Sequence, residues 1–364
     1  MGVVTRLEPL RGLNLELRTR NLELRMKTPL LARAEQLGNR PAPRHRAPVN
    51  SAPRTAFVLG AGLGTRLRPL TDRRPKPLIP VANRPLITHA FDHLIAAGVE
   101  RFVVNTHWCA ERYAEFFPDG KWRGQPVTFV HESPEVLETA GGIWNARAHL
   151  SDGPFIVYNG DILSDLPLAP ALDAHRAAGN EVTLILRSHG GNTNVAFDAA
   201  SGRILDLRRA LRPEFEPRHL FTGIYIVEPQ FIARIPAAQK LSVIPVFHEM
   251  IRTGAKLGGI VLDERDWWDL GSRSEYLAVH AALAARATEH APWISPYAGI
   301  SADAKVTGAT AIAAGAEVGS AVTLHDCIVW QNATVAAGAR LTRCIVADGA
   351  TARGEHADVD FVAG

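Results

Sequence analysis

From residue 55 onward the hydrophobic positions of the chain alternate between two periods. Continuous apolar runs bounded by turn residues, as expected of strands buried on both faces, occupy 55–59, 101–105, 126–131, 154–158, 181–187, 220–227 and 257–262. Apolar positions at helical spacing cover 85–97, 108–117, 141–149, 168–178, 241–253 and 273–286. Such alternation predicts an α/β domain over 55–290, built on a mostly parallel mixed sheet with helices on both faces. Ligands of such sheets bind beyond the carboxyl ends of the strands.

After Pro296 the pattern changes. Ile300, Val306, Ile312, Val318 and Leu324 fall six apart; the phase slips by one, and Val329, Val335 and Leu341 resume the same spacing. A second echo aligns Cys327–Thr334 with Cys344–Thr351 at an offset of 17. Six-residue turns with an aliphatic at each corner, three to a coil, predict a parallel β-helix over 291–364, with about three coils in 298–350. A flexible Ala/Gly-rich tail would not hold that spacing. If Cys327 and Cys344 are equivalent positions, they stack as buried small apolar residues and not as a redox pair.

A length of 364 residues fits two domains. No apolar stretch approaches the length of a membrane span. Three cysteines do not make a disulfide framework, which points to a reducing cytoplasm. The net charge of +3 is unevenly spread: residues 1–54 hold 11 of the 40 basic and 4 of the 37 acidic residues, leaving 29 against 33. The body is therefore mildly acidic, and no nucleic-acid surface is expected. The basic segment repeats Asn14–Arg18 as Asn21–Arg25 and has no apolar stretch of the signal-peptide kind. It reads as a poorly ordered extension with at most a short helix near 28–37.

The chemistry concentrates in residues 57–85, FVLGAGLGTRLRPLTDRRPKPLIPVANRP. The first apolar run passes into Gly60, Gly62 and Gly64, then Thr65 and Arg66, and Lys76 follows between two prolines. Glycines let backbone N–H groups approach a phosphate, and Arg and Lys supply the countercharge. A plain tight turn with a solvated basic loop would not require this ordered combination. The dinucleotide pattern GxGxxG fails because position 65 is Thr, and a Walker A loop fails because Thr65-Arg66 follows Gly64. His131-Glu132 and His248-Glu249 lack the second histidine of a zinc hydrolase. Two further features have ordinary readings: Thr139 as a helix cap and Asp161, ending the strand Phe155–Asn159, as a turn cap.

The 57–85 segment resembles the signature of the sugar-1-phosphate nucleotidyltransferases, GxGTRLxPLT…PKPLxPV, almost letter for letter. The resemblance implies a Rossmann-like nucleotidyltransferase domain. In it Leu59, Gly60, Ala61, Gly62, Gly64 and Thr65 hold the phosphates of a nucleoside triphosphate, and Arg66 and Lys76 neutralise the reacting groups. The stretch His131–Gly142 resembles the family's base-reading loop, implying contacts from Glu132, Glu138, Thr139 and Gly141. Its Leu-Glu-Thr version is similar to that of the N-acetylmuramate-1-phosphate uridylyltransferases, whereas the family more commonly has a glycine in place of Glu138. Asp161, and Asp269 in Trp267–Gly271 with Tyr276 beyond, are implied ligands of Mg²⁺, a hard cation satisfied by two carboxylates plus substrate oxygens.

Asn159, Gly223 and Lys240 are implied at the sugar, although Gly223 also reads as a simple bulge. One departure stands out. The family's Glu-Lys-Pro is absent, the region reading Ile204–Arg209, with Arg208 or Lys240 as open replacements. The C-terminal repeat resembles the hexapeptide-repeat, left-handed β-helix found behind many nucleotidyltransferases. With only His325 and His356 it implies no second active site, and instead oligomerisation or packing on the catalytic domain.

The implied reaction joins an NTP (GTP or UTP) to a sugar-1-phosphate and releases pyrophosphate. A mannose-1-phosphate guanylyltransferase is the leading expectation, ahead of the N-acetylmuramate, heptose or glucose branches. A catalytically silent regulatory subunit is the reading from another class; the presence of all four signature charges speaks against it.

Overall fold

A computed structural model describes residues 52–286 and 292–364. The expected extension before residue 52, with its short helix near 28–37, lies outside the described residues.

Ten strands form one sheet: Thr55–Leu59 (β1), Arg101–Thr106 (β2), Lys121–Trp122 (β3), Gln125–His131 (β4), Phe155–Asn159 (β5), Val182–Arg187 (β6), Val195–Asp198 (β7), Arg203–Leu207 (β8), Leu220–Val227 (β9) and Leu257–Val261 (β10). Their spatial order is β7-β8-β10-β6-β9-β5-β1-β2-β4-β3. The run β5-β1-β2-β4 is wholly parallel, as the alternation predicts. Beyond it β9 lies antiparallel to both β5 and β6, and the β7–β8 hairpin forms an edge. Sequence periodicity misses that hairpin because its strands, VAFD and RILDL, are interrupted by charged residues and offer no continuous apolar run.

Among the described residues there are six helices, Leu86–Ala96 (α1), Glu111–Phe116 (α2), Glu138–Asn145 (α3), Leu168–Ala178 (α4), Val243–Arg252 (α5) and Arg273–Arg286 (α6); the first five pack on the sheet, and α6 packs beside the coils. Strand alternation sends Ala56 and Val58 to one face and Phe57 to the other. Ile87, Ala90, Phe91 and Leu94 of α1, at helical spacing, meet the first face, with the Phe91 and Phe102 rings stacked at 4.3 Å. Val243, Val246, Phe247 and Met250 of α5 meet the second. Two helix bounds depart from expectation. Cys109 has φ 47, which no right-handed helix accepts, so α2 starts at Glu111 and not at 108. α3 starts three residues early and ends at Asn145, with a separate 3₁₀ turn at Arg147–His149.

The C-terminal part is a left-handed β-helix of short parallel strands in three sheets. It makes four coils, beginning at Trp293, Ala311, Ile328 and Ile345, and closes with Asp360–Phe361. The three coils expected over 298–350 run from Gly299 to Ala350, and the helix extends on both sides of them, through Ile294, six before Ile300, and through Ala352, His356 and Phe361 at later corners. The slip of phase is a corner that shortens. Gly308, Ala309 and Thr310 link the strands there in the first coil, and Asp326 and Cys327 alone in the second. Asp326 takes φ 53 to make that tighter corner. Cys327 and Cys344 are buried free thiols on adjacent coils, beside the paired Ile328 and Ile345.

The β-helix packs on the α/β part through one shared apolar cluster. Ile328, Trp330 and Ile345 meet Leu70, Ile79, Leu270 and Tyr276 in it. The Asn83 amide adds hydrogen bonds to the carbonyls of Trp293 and Ile312, both 2.8 Å. Among the described residues no helix is long and apolar enough to cross a membrane.

Candidate active site

Parallel pairing sets Leu59 level with Asn105 on one side and Asn159 on the other, so β1, β2 and β5 end together. A cleft of about 440 Å³ opens at that edge. The glycine loop starts here. Gly60 donates its N–H to Asn105 Oδ1 (2.8 Å), and its carbonyl accepts from the Tyr113 hydroxyl (2.9 Å). A Cβ on Gly60 would stand 2.6 Å from the Asn105 carbonyl oxygen, so packing alone demands glycine. Gly64 ends the loop at φ 62, its carbonyl held by Thr71 Oγ1 at 2.8 Å. Gly62 between them is open: a Cβ there would meet nothing within 4 Å. A loop pinned at both ends and bare in the middle can bring its backbone against a phosphate.

Opposite the loop, three charges converge. Lys76 begins a 3₁₀ turn, Lys76–Leu78, and is only 7% exposed. Its Nζ donates to Asp161 Oδ2 at 2.7 Å and lies 3.6 Å from Asp269 Oδ1. Asp161 follows Gly160, whose N–H donates to the Leu59 carbonyl at 3.0 Å. A Cβ at Gly160 would be 2.3 Å from that oxygen, so only glycine lets the two strand ends close. Asp269 reaches the site on a small two-stranded antiparallel ribbon, Ile162–Ser164 against Trp267–Asp269, which places it opposite Ile162. Leu270 N–H to Asp161 carbonyl (3.1 Å) and Trp267 Nε1–H to Thr222 carbonyl (2.9 Å) fix the ribbon. The Arg66 guanidinium rests on Gly271, where a Cβ would be 2.5 Å from Nη1.

Burial, then repulsion from Asp161, pushes the Asp269 carboxyl above its ordinary range, with Lys76 and Arg66 partly offsetting both. Its Oδ1 is buried and has no hydrogen-bond partner. A buried carboxylate oxygen with an unused lone pair, beside a second carboxylate, fits a divalent cation. Among the described residues no three His, Cys, Asp or Glu side chains converge, so such a cation would complete its shell with substrate oxygens and water.

The other candidates separate into two groups. Glu138, Thr139 and Asn159 line the cleft with the loop, Arg66, Lys76 and Asp161. Glu138 has φ 60, in the left-handed region that glycine adopts more readily than other residues. Thr139 caps a helix, but not its own: its Oγ1 accepts from Val243 N–H of α5 at 2.6 Å. Glu132 does not line the cleft. It is buried, accepting from Asn105 Nδ2 (2.8 Å) and Leu137 N–H (2.7 Å), and burial raises its pKa. Gly141 is a packing glycine, a Cβ there falling 2.4 Å from the Gln239 carbonyl.

Gly223 is a bulge at φ 77, where the β9–β6 register shifts, and it lies against Asn159. Lys240 pairs with Glu135 at 3.1 Å on the surface, and neither it nor Arg208 lines the cleft. Asp206, in the region of the missing Glu-Lys-Pro, ties its own loop by accepting from the Ala210, Leu211 and Arg212 N–H groups. Sequence reasoning misses Asn105 and Ser242, both of which line the cleft. Asn105 was detectable as the polar end of an apolar strand; Ser242 gives no local sign beyond capping α5.

The nucleotidyl transferase family model matches residues 55–286. The chain is 32% identical over 301 residues to a mannose-1-phosphate guanylyltransferase of Mycobacterium tuberculosis, covering 79% of this chain and 83% of that protein. It is 34% identical over 247 residues to an N-acetylmuramate alpha-1-phosphate uridylyltransferase of Caulobacter vibrioides, covering 65% and 99%. With a UTP–glucose-1-phosphate uridylyltransferase of Synechocystis the identity is 30% over 239 residues, 61% of each chain. A match running from β1 to the end of α6, around a cleft that faces a bare glycine loop with a lysine–carboxylate cluster, establishes that the chain belongs to the nucleotidyl transferase family, among the sugar-1-phosphate nucleotidyltransferases.

Proposed function

We propose that the protein is a mannose-1-phosphate guanylyltransferase, converting GTP and mannose 1-phosphate to GDP-mannose and pyrophosphate. The observation that carries the choice of branch is length. The similarity to the Mycobacterium protein runs over 79% of this chain, whereas the Caulobacter protein is exhausted after 65%.

In the proposed reaction an oxygen of the sugar phosphate forms a bond to the α-phosphorus, and the bond from that phosphorus to the β-phosphate oxygen breaks. Positioning and charge neutralisation supply most of the rate. The glycine loop and Arg66 hold the phosphates that leave as pyrophosphate. Lys76 neutralises the charge that gathers where the two substrates meet. Asp161 and Asp269 would hold Mg²⁺, which when bound neutralises and orients phosphate oxygens. Asn159, braced by Gly223, faces the sugar side of the cleft. The protein works in the cytoplasm in this reading, where its free thiols stay reduced. The β-helix, with Tyr297 80% exposed, joins copies into a homo-oligomer.

A second reading, transfer of uridylyl to N-acetylmuramate 1-phosphate, draws on the Leu137–Thr139 loop and the absent Glu-Lys-Pro. Pyrophosphate release across a grid of GTP and UTP with the mannose, N-acetylmuramate and glucose 1-phosphates, with Mg²⁺ and with EDTA, separates the two. GTP with mannose 1-phosphate should be the fastest pair. A faster UTP pair would transfer the assignment, and no release with any pair would overturn it.

A further inference from the structure

Arg74 stands two residues before Lys76, yet it does not line the cleft. It is buried, and its side chain points into the β-helix. Nη2 makes an ion pair with Asp348 Oδ2 (2.5 Å) and donates to Gln331 Oε1 (3.2 Å). The guanidinium lies between two rings, 5.0 Å from the centroids of both Phe116 and Trp330. Phe116 belongs to α2, while Trp330, Gln331 and Asp348 belong to the third and fourth coils.

The far side of the Lys76 turn is held by the same coil. Trp330 Nε1–H donates to the Tyr276 hydroxyl (3.2 Å), which donates to the Pro80 carbonyl (2.5 Å). The segment Arg74–Pro80, with Lys76 inside it, is therefore fixed at both ends by contacts that lead to Trp330. Burying a guanidinium and a carboxylate is costly, and removing one partner strands the other. Apolar residues would join the two parts of the chain more cheaply, and the neighbouring cluster already does so. What a guanidinium adds is direction: a planar fork stacked between rings has one orientation.

We propose that Arg74 is a positioning residue for the nucleotidyl transfer: the Asp348–Arg74–Trp330 clamp sets the Lys76 turn, so the β-helix is part of the catalytic apparatus of its own chain. The inference rests on the reading of Lys76 as catalytic. Misplacement of a charged group by about 1 Å can cost about 100-fold in rate.

The test uses the full chain, with pyrophosphate release from its most active substrate pair as the assay. Asp348→Asn should lower kcat by about 10- to 100-fold with the KM of both substrates changed by less than about threefold. Combined with Lys76→Ala, it should cost nothing further, because a clamp that acts through Lys76 has nothing left to position. Trp330→Phe, which keeps the ring and loses the N–H to Tyr276, should act in the same direction if Asp348→Asn does not fold. A lowered Tm with wild-type kcat in these variants, or losses that multiply with Lys76→Ala, overturns the clamp and leaves only an interdomain contact. Near-normal turnover of Lys76→Ala by itself would instead sink the catalytic reading on which the clamp depends.

Discussion

Asn105 joins Glu132 to the glycine loop. Its amide nitrogen donates to the buried carboxylate of Glu132, and its amide oxygen accepts the N–H of Gly60, both at 2.8 Å. Glu132 is thus tied to the glycine loop through Asn105. Asn105→Ala would leave a buried carboxylate oxygen and a buried N–H without partners, at about 1–3 kcal/mol for each unmet group. The expected outcome is a drop in denaturation midpoint together with a raised KM for the nucleotide. A variant with unchanged midpoint and KM would show that the loop does not depend on this amide.

Lys76 sits against the two carboxylates that would hold the cation in the proposed function. Lys76→Ala and Asp161→Ala should each reduce kcat by about 100- to 1000-fold while the chain stays folded. They differ in their response to metal. Lys76→Ala leaves Asp161 and Asp269 facing each other with only Arg66 to offset their repulsion, so Mg²⁺ should raise its Tm by more than it raises that of the wild type. Asp161→Ala should lose most of the Mg²⁺ effect. Differential scanning fluorimetry with and without Mg²⁺ checks both.

Two glycines beside the reacting charges should fail differently. At Gly160 a Cβ would strike the Leu59 backbone oxygen at 2.3 Å, so Gly160→Ala forces the strand ends apart and costs about 1–3 kcal/mol as well as activity. At Gly271 it would strike the end of the Arg66 side chain at 2.5 Å, which can swing away. Gly271→Ala should therefore fold with near-normal stability and lose rate. Parallel urea curves and turnover measurements distinguish the two.

Acid should weaken the fold in a defined window. His280 is buried and His89 half-buried, and desolvation pushes each down to about 4. The unfolded chain, with histidines near about 6.5, takes up protons first as pH falls, so their contribution to stability is constant above about 6.5 and declines toward 4. The loss is about 2 kcal/mol per histidine by pH 5. His280 accepts from the Ala82 N–H at 3.1 Å, and His280→Asn should flatten the decline measured by denaturation between pH 7.5 and 4.5.

What the sequence makes legible is what is local. Gly60, Arg66 and Lys76 lie in one short segment whose order carries meaning, and the six-residue spacing announces coils because each coil repeats the same corner. Asp161 and Asp269 could be paired only through the family resemblance; their meeting depends on a three-residue antiparallel contact between the sequence-distant Ile162–Ser164 and Trp267–Asp269. Glu132 is misplaced for a similar reason. Sequence sets it at the head of the base-reading loop, but its carboxylate turns inward to Asn105, a partner 27 residues earlier. Lys240 looks available as a free cation until Glu135, 105 residues away, is found beside it.

The apolar cluster around Trp330 also bears on modularity. Leu70, Ile79, Leu270 and Tyr276 of the α/β part meet Ile328, Trp330 and Ile345 of the coils in one continuous interior. Excision of the coils would turn that interior into a bare apolar patch on the remaining enzyme, the kind of surface that drives association. The two parts are therefore not interchangeable cassettes. A graft of these coils onto another nucleotidyl transferase would have to carry the matching face of the signature loop with it.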